Sequence, residues 1–204
     1  TWVADKGNGT YQNPVLHADY SDPDICAAGD DFYMTASSFN CIPGIPILHS
    51  NDLVNWSLVN YALPVQEPEP FFDKAQHGKG VWAPAIRFHN GEFYIYWGDP
   101  DYGIYMIKTK DLKGKWSKPV LVKAGKGMID ATPLWDEDGK VYLIHAYAGS
   151  RSGVNSILVI CELNPEGTEV ISDPVMVFDG NDGKNHTVEG PKLYKRNGYY
   201  YIFA

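Results

Sequence analysis

Short runs of alternating apolar and polar residues cover most of the chain, and Gly, Asn and Asp separate them. Tyr, Trp, Phe, Val and Ile recur within these runs at every second position, which is the pattern of strands with one buried face. Long segments with the 3.6-residue spacing of an amphipathic helix do not occur in the sequence. The pattern therefore predicts an all-β protein that consists mostly of antiparallel strands.

Four segments of the chain resemble one another, and each has the pattern of a strand, a tight polar turn and a second strand. The turns HNGE, EDGK and RNGY contain the Asn-Gly or Asp-Gly pair that two-residue hairpins favour, because both central residues of such turns need a positive φ. The segments begin at Asp22, Ala83, Thr132 and Gly190.

Each of these segments contains a proline near its start, and the prolines give the repeat length. Pro23, Pro84, Pro133 and Pro191 are separated by 61, 49 and 58 residues. One all-β unit per repeat of this length is typical of propeller blades, whereas the strands of a sandwich need not resemble one another. We therefore predict a β-propeller. Four unrelated hairpins with common turn chemistry are the alternative.

Three of the four segments carry a carboxylate close to the proline, and we predict that these three acids occupy the same structural position of the repeat. Asp22 immediately precedes the proline of the first segment, Asp130 lies three residues before that of the third, and Glu189 lies two residues before that of the fourth. Because the innermost strands of all blades line one central channel, we expect these three side chains to converge at one end of it. Trp82 and Ala83 hold the matching place in the second segment and would add an aromatic wall.

Converging carboxylates have two competing uses. Like charges that are held close together cannot all ionise at neutral pH without cost, so the pKa of at least one carboxyl should be raised. A protonated carboxyl beside an ionised one can cleave a glycosidic bond. A hard cation such as calcium, which binds six to eight oxygen atoms, is the alternative. The neighbouring prolines and tryptophan favour the sugar.

Composition limits the partners and the number of domains. The chain has 204 residues, 44% of them hydrophobic and 21% charged, which predicts one globular domain over residues 1–204. The net charge is −8 and no basic cluster occurs, so nucleic acid and anionic membranes are not expected as partners. No apolar run is long enough for a transmembrane helix, and the N-terminus TWVADKGNGT lacks the charged and apolar regions of a signal peptide.

The chain has three cysteines, Cys26, Cys41 and Cys161. An odd number without a Cys-x-x-Cys spacing argues against a disulfide framework and against a zinc site. We expect the three side chains to act as small buried apolar groups. A bridge between Cys26 and Cys41 is the alternative if the protein is exported.

Five blocks of the sequence resemble glycoside hydrolase family 43, and they occur in the order of that family. The blocks are NPVLHADYSDPDI, SSFNCIPGIPILHSNDLVNW, GVWAPAIR, IDATPLWDEDGKVYL and EGPKLYKRNGYYY. The resemblance covers the chain from Asn13 onward and implies a five-bladed propeller, of which about three and a half to four blades are present. The block from His49 to Trp56 is most similar to the exo-acting β-xylosidases and α-L-arabinofuranosidases of the family.

The resemblance implies a role for each acid. Asp22 matches the general base, Glu189 matches the general acid, and Asp130 matches the residue that raises the pKa of the acid and orients it. The family inverts the anomeric configuration, which implies a water molecule between base and sugar and a separation of roughly 6.5–9.5 Å between the two carboxyls.

The same resemblance implies how the substrate binds. Trp82 and Ala83 match the block that walls the terminal-sugar subsite, and Phe39 matches a residue that lines the pocket. The expected substrate is a xylo- or arabino-oligosaccharide derived from hemicellulose. We expect that no cofactor is required, and we assign no metal ligands. The alternative is a structural calcium ion, whose ligands are not evident in this sequence.

Several further expectations concern the whole protein. Ala204 lies within the second predicted strand of the fourth unit, so we expect the domain to be truncated at the C-terminus and the missing part of the same protein to close the ring. A polysaccharide substrate implies export to the periplasm or the outside, with a cytoplasmic location as the alternative. The alternative functions are a non-catalytic carbohydrate-binding propeller and an endo-arabinanase.

Other polar residues near the acids are expected to have supporting roles. Asp19 and Asp24 flank Asp22, and we predict turn or supporting roles for both. His186 lies close to Glu189, and contact with substrate and a bond to neighbouring backbone are equally open for it.

Two further expectations concern residues in other parts of the chain. We predict a structural role for His145. In the proline-rich loop from Pro64 to Asp73, we expect Phe71 or Phe72 to contact a neighbouring sugar.

Overall fold

The structure, a computed structural model, describes residues 1–185 and 187–204, so His186 lies outside the described residues. The described part is all-β apart from two single helical turns, α1 (Glu69–Phe72) and α2 (Gly149–Ser152). Its strands form three four-stranded sheets and one two-stranded sheet, each with neighbouring strands in chain order. No helix among these residues is long and apolar enough to cross a membrane.

The four sheets follow one another along the chain and are antiparallel throughout. The first sheet consists of β1 (Asp24–Ala28), β2 (Asp31–Thr35), β3 (Gly44–Ser50) and β4 (Ser57–Leu63). The second consists of β5 (Ala85–His89), β6 (Glu92–Asp99), β7 (Gly103–Thr109) and β8 (Val120–Ala124). The third consists of β9 (Met128–Trp135), β10 (Val141–Tyr147), β11 (Ile157–Leu163) and β12 (Val175–Asp179). The fourth consists of β13 (Lys192–Arg196) and β14 (Tyr199–Phe203).

The first strands of successive sheets contact one another. β1 contacts β5, β5 contacts β9, and β9 contacts β13. The sheets are therefore arranged as blades around an axis with these four strands innermost, which confirms the predicted propeller. Three blades are complete and the first hairpin of a fourth is present, in agreement with the lower end of the predicted range.

The hydrophobic core lies between the blades. Strand β6 shows how one sequence serves two interfaces, because its side chains alternate between faces. Phe93, Ile95 and Trp97 pack toward the first blade, whereas Tyr94 and Tyr96 pack toward the third. A smaller cluster joins the third blade to Leu193 of the fourth.

All four predicted repeat segments form the first hairpin of a blade, but the alignment of the third segment on its proline is wrong. Pro133 lies inside β9 and pairs with Leu143, and a β-bulge shifts the register between Ile144 and Ala146. Ala131, two residues earlier, is the structural equivalent of the other prolines, as the pairing positions show. Proline is tolerated inside β9 because this strand lies at the edge of its sheet.

A left-handed residue lies near the start of the inner strand in each of the four described blades, two positions before β1, β5 and β13 and at the third position of β9. The φ angles are 50° at Asp22, 37° at Ala83, 59° at Asp130 and 71° at Gly190. Each of these residues lies two positions before a paired residue of the inner strand. Asp22 and Asp130 are therefore equivalent, whereas Glu189 lies one residue before the equivalent position. The prediction that all three acids share one position is corrected accordingly.

The cysteines differ in their surroundings. Cys26 and Cys161 are buried, as expected, but Cys41 is exposed, so its interpretation as a buried apolar group is wrong. All three thiols are free, and the alternative bridge between Cys26 and Cys41 is therefore not formed.

Candidate active site

One cavity of about 790 Å³ brings together residues from all four blades. It lies where the inner strands begin, and its volume is within the usual range for a small-molecule site. The cavity is lined by all six residues to which the sequence analysis gave a catalytic or substrate-binding role, which are Asp22, Asp130, Glu189, Trp82, Ala83 and Phe39. Asp19 does not line it and is exposed.

Asp22 is held by two serine hydroxyls. Ser37 Oγ donates a hydrogen bond of 2.7 Å to Asp22 Oδ2, and Ser21 Oγ donates one of 3.0 Å to the same oxygen. Ser37 Oγ also accepts a hydrogen bond of 2.8 Å from the backbone N–H of Ala83. Ser37 therefore fixes the first acid relative to the wall of the second blade. The sequence analysis did not assign it, although it begins the SSF block.

Asp130 is the most enclosed of the three acids, with 7% of its surface exposed. Burial raises the pKa of its carboxyl to about 6, and the negative charges of Glu189 and Asp22 act in the same direction. A hydrogen bond of 2.7 Å from the backbone N–H of Gly190 and the positive charge of Lys192 oppose this rise. A raised pKa among the three carboxyls was expected, but its largest cause is burial rather than like charge.

Glu189 lies in a turn whose two sides are fixed to the third blade. The backbone N–H of Val188 donates a hydrogen bond of 3.2 Å to Ser156 Oγ, and Thr132 Oγ1 donates one of 2.9 Å to the carbonyl oxygen of Pro191. The glutamate itself is exposed. The turn thus presents a carboxyl to the cavity from an anchored backbone.

Trp82 and Phe39 form the aromatic wall. Their ring centroids are 6.3 Å apart at an angle of 70°, and Trp82 Nε1 donates a hydrogen bond of 2.9 Å to the carbonyl oxygen of Gly78. A bridge between Ser38 and Val81 brings the two segments together. Gly80 permits this approach, because a Cβ atom there would lie 2.2 Å from the carbonyl oxygen of Ser38.

A second charged cluster lies beside the acids. Asp24 Oδ2 accepts a hydrogen bond of 2.6 Å from Arg87 Nη1, and Lys192 Nζ lies 3.7 Å from Asp24 Oδ1. Asp24 is buried and does not line the cavity, in keeping with the supporting role predicted for it, whereas Lys192 does line it. Neither Arg87 nor Lys192 was singled out from the sequence.

The third blade supplies a wall that the sequence analysis missed. Tyr147, Asn155 and the first residues of α2 line the cavity. Arg151, at the end of α2, donates a hydrogen bond of 2.9 Å from Nε to Asp101 Oδ1 and so ties this wall to the second blade. No motif indicated these residues, because they lie at the end of β10 and in the short segment that follows it.

Phe71 and Phe72 of α1 do not line this cavity. Their rings pack on Tyr102, with centroid distances of 5.7 and 6.5 Å. Phe72 lines a smaller neighbouring cavity of about 280 Å³ that shares Phe39 with the first. Their contact with a sugar stays a prediction.

His145 is fully buried on β10 and lies away from the cavity. Its Nδ1 lies 3.1 Å from the carbonyl oxygen of Ala146, and burial lowers the pKa of the imidazole to about 4. Its Nε2 has no hydrogen-bond partner among the residues that the structure describes. The predicted structural role agrees with this placement.

The described residues do not contain a group of three or more His, Cys, Asp or Glu side chains that could hold a metal ion. In this geometry the three acids therefore do not form such a group.

Comparison with known proteins gives a family and several relatives. The family model described as "Glycosyl hydrolases family 43" matches residues 11–204. A β-xylosidase of Formosa agariphila is 35% identical, and the match covers 98% of this chain and 34% of that protein. A non-reducing end α-L-arabinofuranosidase of Bacteroides ovatus is also 35% identical, over 100% of this chain and 37% of that protein.

The solved structures agree with these relatives. The GH43 protein BlXynB from Bacillus licheniformis superposes with a TM-score of 0.77 at 33% identity, covering 94% of this chain and 37% of that one. A xylan β-1,4-xylosidase from Bacillus halodurans gives a TM-score of 0.78 at 28% identity, covering 94% and 38%. The chain thus spans between 34% and 38% of the length of these four proteins.

Proposed function

The chain belongs to glycosyl hydrolases family 43, and from that premise we propose that it carries the catalytic groups of an exo-acting, inverting glycoside hydrolase that releases xylose or arabinose. The proposed substrates are xylo- or arabino-oligosaccharides derived from hemicellulose. The observation that carries this proposal is the convergence of Asp22, Asp130 and Glu189 on one cavity.

In the proposed reaction the two exposed acids act on opposite sides of the terminal sugar. Asp22 accepts a proton from a water molecule whose oxygen attacks the anomeric carbon, while Glu189 gives its proton to the departing glycosidic oxygen as the bond breaks. One attack on the face opposite the leaving group inverts the configuration. Ser37 supports the role of Asp22, because its hydrogen bond stabilises the anionic form that a base requires.

Asp130 acts in this scheme on the acid rather than on the sugar. It binds the backbone N–H of Gly190, the residue that follows Glu189, and so fixes the turn from which the acid extends. Its buried negative charge, when ionised, disfavours ionisation of the neighbouring Glu189. Both effects would keep the general acid protonated and correctly placed.

The proposed sugar site lies against Trp82, Ala83 and Phe39. An aromatic face suits the apolar face of a pentose ring, and Trp82 is held in place by its own hydrogen bond to Gly78. The cavity volume of about 790 Å³ leaves space beyond one sugar ring, which suits an oligosaccharide.

We propose that the remainder of a longer protein packs against the fourth blade and closes the ring. The strand β14 has a free edge, and Tyr199 and Phe203 on it are 70% and 62% exposed. Long exposed apolar edges are normally paired or covered. The mass of the protein as its source produces it tests this proposal, and a mass equal to that of these 204 residues alone would contradict it.

We also propose that the reaction needs no cofactor and that the protein is exported to meet its polymeric substrate. Acid and base carboxyls suffice for the chemistry. Activity and melting temperature are expected to be unchanged after dialysis against a chelator. Loss of either would favour a structural calcium.

The function is tested with aryl β-xylosides and aryl α-L-arabinofuranosides, using the protein as its source produces it. We expect hydrolysis of at least one class, with the first-formed sugar observed by proton NMR in the inverted configuration. Binding of xylo-oligosaccharides without hydrolysis would instead select a non-catalytic carbohydrate-binding propeller. Release of internal oligomers from arabinan would select an endo-arabinanase.

A matched pair of variants tests the base. Asp22→Asn is expected to lower kcat by about three orders of magnitude, because the attacking water then has no base. Asp19→Asn changes a nearby exposed carboxyl outside the cavity and is expected to leave kcat within about two-fold of the original. Equal losses in the two variants would contradict the assignment of Asp22.

A further inference from the structure

Three charged side chains from three blades meet beside the acidic cavity. Asp24 on β1 is 4% exposed, and its Oδ2 accepts hydrogen bonds from Arg87 Nη1 on β5 at 2.6 Å and from the backbone N–H of Ile86 at 2.8 Å. Lys192 on β13 places Nζ 3.7 Å from the other carboxylate oxygen, Oδ1. One buried anion thus faces two cations.

The charges in this cluster do not cancel. Arg87 makes the close contact with Asp24 and is sufficient to neutralise it, so the positive charge of Lys192 is left over. The Lys192 side chain is 19% exposed and lines the cavity together with Asp22 and Asp130. In a partly dehydrated setting such a charge acts more strongly on its neighbours than it would in water.

The direction of the Lys192 side chain follows from strand geometry. Side chains of β13 alternate between two faces. Leu193 packs into the core between the third and fourth blades, so its neighbours Lys192 and Tyr194 lie on the opposite face. The guanidinium carbon of Arg87 lies 5.3 Å from the centroid of the Tyr194 ring, which places this face of β13 toward the inner strand of the second blade.

The titration of Lys192 agrees with this placement. Burial lowers the pKa of its ammonium group, and Arg87 adds to that effect, whereas the carboxylates of Asp24, Asp130 and Asp22 act in the opposite direction. In return, the positive charge of Lys192 lowers the pKa of Asp130. Glu189 is the remaining charged group that lines the same cavity.

We propose that Lys192 is a positioning residue of this site, whose ammonium group, seated beside Asp24, keeps Asp22 and Asp130 in their anionic forms. The inference rests on the proposed function, because an ionised base is needed only if Asp22 activates water. It assigns to the chain a fourth charged member of the site, which acts through the two aspartates rather than on the sugar.

A purely structural role for Lys192 is the competing explanation. The contact between Lys192 and Asp24 joins β13 of the fourth blade to β1 of the first and could simply hold the inner strands together. A structural contact would affect folding and would lower activity equally at every pH. An electrostatic role would change the pH dependence itself.

The test is the pH profile of kcat/KM on an aryl pentoside, measured for the protein as its source produces it and for three variants. Lys192→Met removes the charge at nearly constant volume. Because a lost cation favours the neutral carboxyl, we expect the acidic limb to move to higher pH by about one unit, which lowers kcat/KM about ten-fold on that limb. Lys192→Arg retains the charge and is expected to restore the limb.

Lys195→Met is the matched control. Lys195 lies three positions further along β13, is 22% exposed and pairs with Asp136 outside the cavity. Removal of its charge is expected to leave the limb in place, even if the melting temperature falls. An acidic limb that stays in place in Lys192→Met, or moves equally in Lys192→Arg, overturns the proposal.

A further variant tests the proposal if Lys192→Met does not fold. Lys192→Cys is smaller, and alkylation of its thiol with 2-bromoethylamine rebuilds an ammonium group on the folded protein. We expect alkylation to return the limb to lower pH, and the unsubstituted protein treated in the same way controls for reaction at the exposed Cys41. No return of the limb overturns the proposal. If the unsubstituted protein hydrolyses no pentoside, the proposed function is contradicted, and the role of Lys192 is contradicted with it. If the unsubstituted protein is active, the variants test the role of Lys192 separately.

Discussion

The backbone N–H of Gly190 donates a hydrogen bond of 2.7 Å to Oδ2 of Asp130. The two residues occupy equivalent left-handed positions, each two residues before a paired position of neighbouring inner strands. The bond therefore joins the buried acid of the third blade to the turn that carries Glu189. This hydrogen bond thus links the position of Glu189, the proposed general acid, to the charge of Asp130.

Asp130 makes stability depend on pH. Its pKa is about 6 in the folded protein against an ordinary value of 3.8, so the folded state releases its proton later than the unfolded state as pH rises. The contribution of Asp130 to the free energy of unfolding is therefore largest below about pH 4. As pH rises through about 6, this contribution falls by roughly 3 kcal/mol in total. The group adds no further change above that range.

Asp130→Asn isolates this effect, because the amide can still accept the hydrogen bond from Gly190. We expect the free energy of unfolding of the variant, relative to the unsubstituted protein, to increase by about 2 to 3 kcal/mol between pH 4 and pH 7. Urea unfolding at a series of pH values measures this difference. Asp99, whose pKa burial also raises to about 6, is present in both proteins and cancels. A difference that is the same at all pH values would contradict the buried, charged state of Asp130.

Ser37 is predicted to tune the base. Ser37→Ala removes the 2.7 Å hydrogen bond to Asp22 and the acceptor for the Ala83 N–H. Since a hydrogen bond to a charged group contributes about 1.5 to 3 kcal/mol, we expect kcat/KM to fall at least about ten-fold and its acidic limb to move to higher pH. Ser57→Ala alters an exposed serine whose hydroxyl donates a long hydrogen bond of 3.5 Å to the carbonyl oxygen of His49 and serves as control. If both variants behave alike, Ser37 has no special role.

Trp82 is predicted to contribute binding energy for the terminal sugar. Trp82→Ala should raise KM about ten-fold, which corresponds to ~1.4 kcal/mol for a lost aromatic contact, whereas Trp82→Phe should retain part of it. Trp56→Phe changes a tryptophan that lies outside the cavity and donates its N–H to the carbonyl oxygen of Leu53, so KM should not change. Steady-state kinetics on an aryl xyloside measures KM for each variant. An unchanged KM in Trp82→Ala would exclude the aromatic wall from the sugar site.

The blades were predictable from sequence because each hairpin is specified locally. Alternating apolar positions set the faces of a strand, and the Asn-Gly turns at Asn90 and Asn197 set its reversal. Both asparagines have a positive φ in the structure. The repeat then placed Asp22, Asp130 and Glu189 at one end of the channel, since equivalent positions of a propeller share one rim.

What sequence could not give depends on contacts between remote segments. Ser37 bonds to Ala83, 46 residues away, and Lys192 meets Asp24 from the other end of the chain. Nothing local distinguishes these residues from other serines and lysines. The misalignment on Pro133 has a similar origin, because the register shift that follows depends on how β9 pairs with β10 and not on the local sequence alone.

The exposure of Cys41 leads to a chemical prediction. Cys41 is exposed whereas Cys26 and Cys161 are buried, and burial raises the pKa of Cys26 to about 12, which suppresses its reactive thiolate. Brief treatment of the folded protein with iodoacetamide should modify Cys41 alone, and all three after denaturation. Peptide mass mapping measures the pattern. Modification of Cys26 in the folded protein would contradict the packing of the first blade.

The most direct test of the central claim, that Glu189 supplies the proton in a glycosidase site whose three acids come from three blades, is the leaving-group dependence of Glu189→Gln. We predict that the variant loses at least about a hundred-fold in kcat/KM on pentosides with poor leaving groups and far less on 2,4-dinitrophenyl or similarly activated pentosides, because easy departure needs little protonation. The plot of log kcat/KM against leaving-group pKa should therefore become steeper in the variant. A loss of equal size on all leaving groups would contradict the assignment of the general acid, and with it the account of the site.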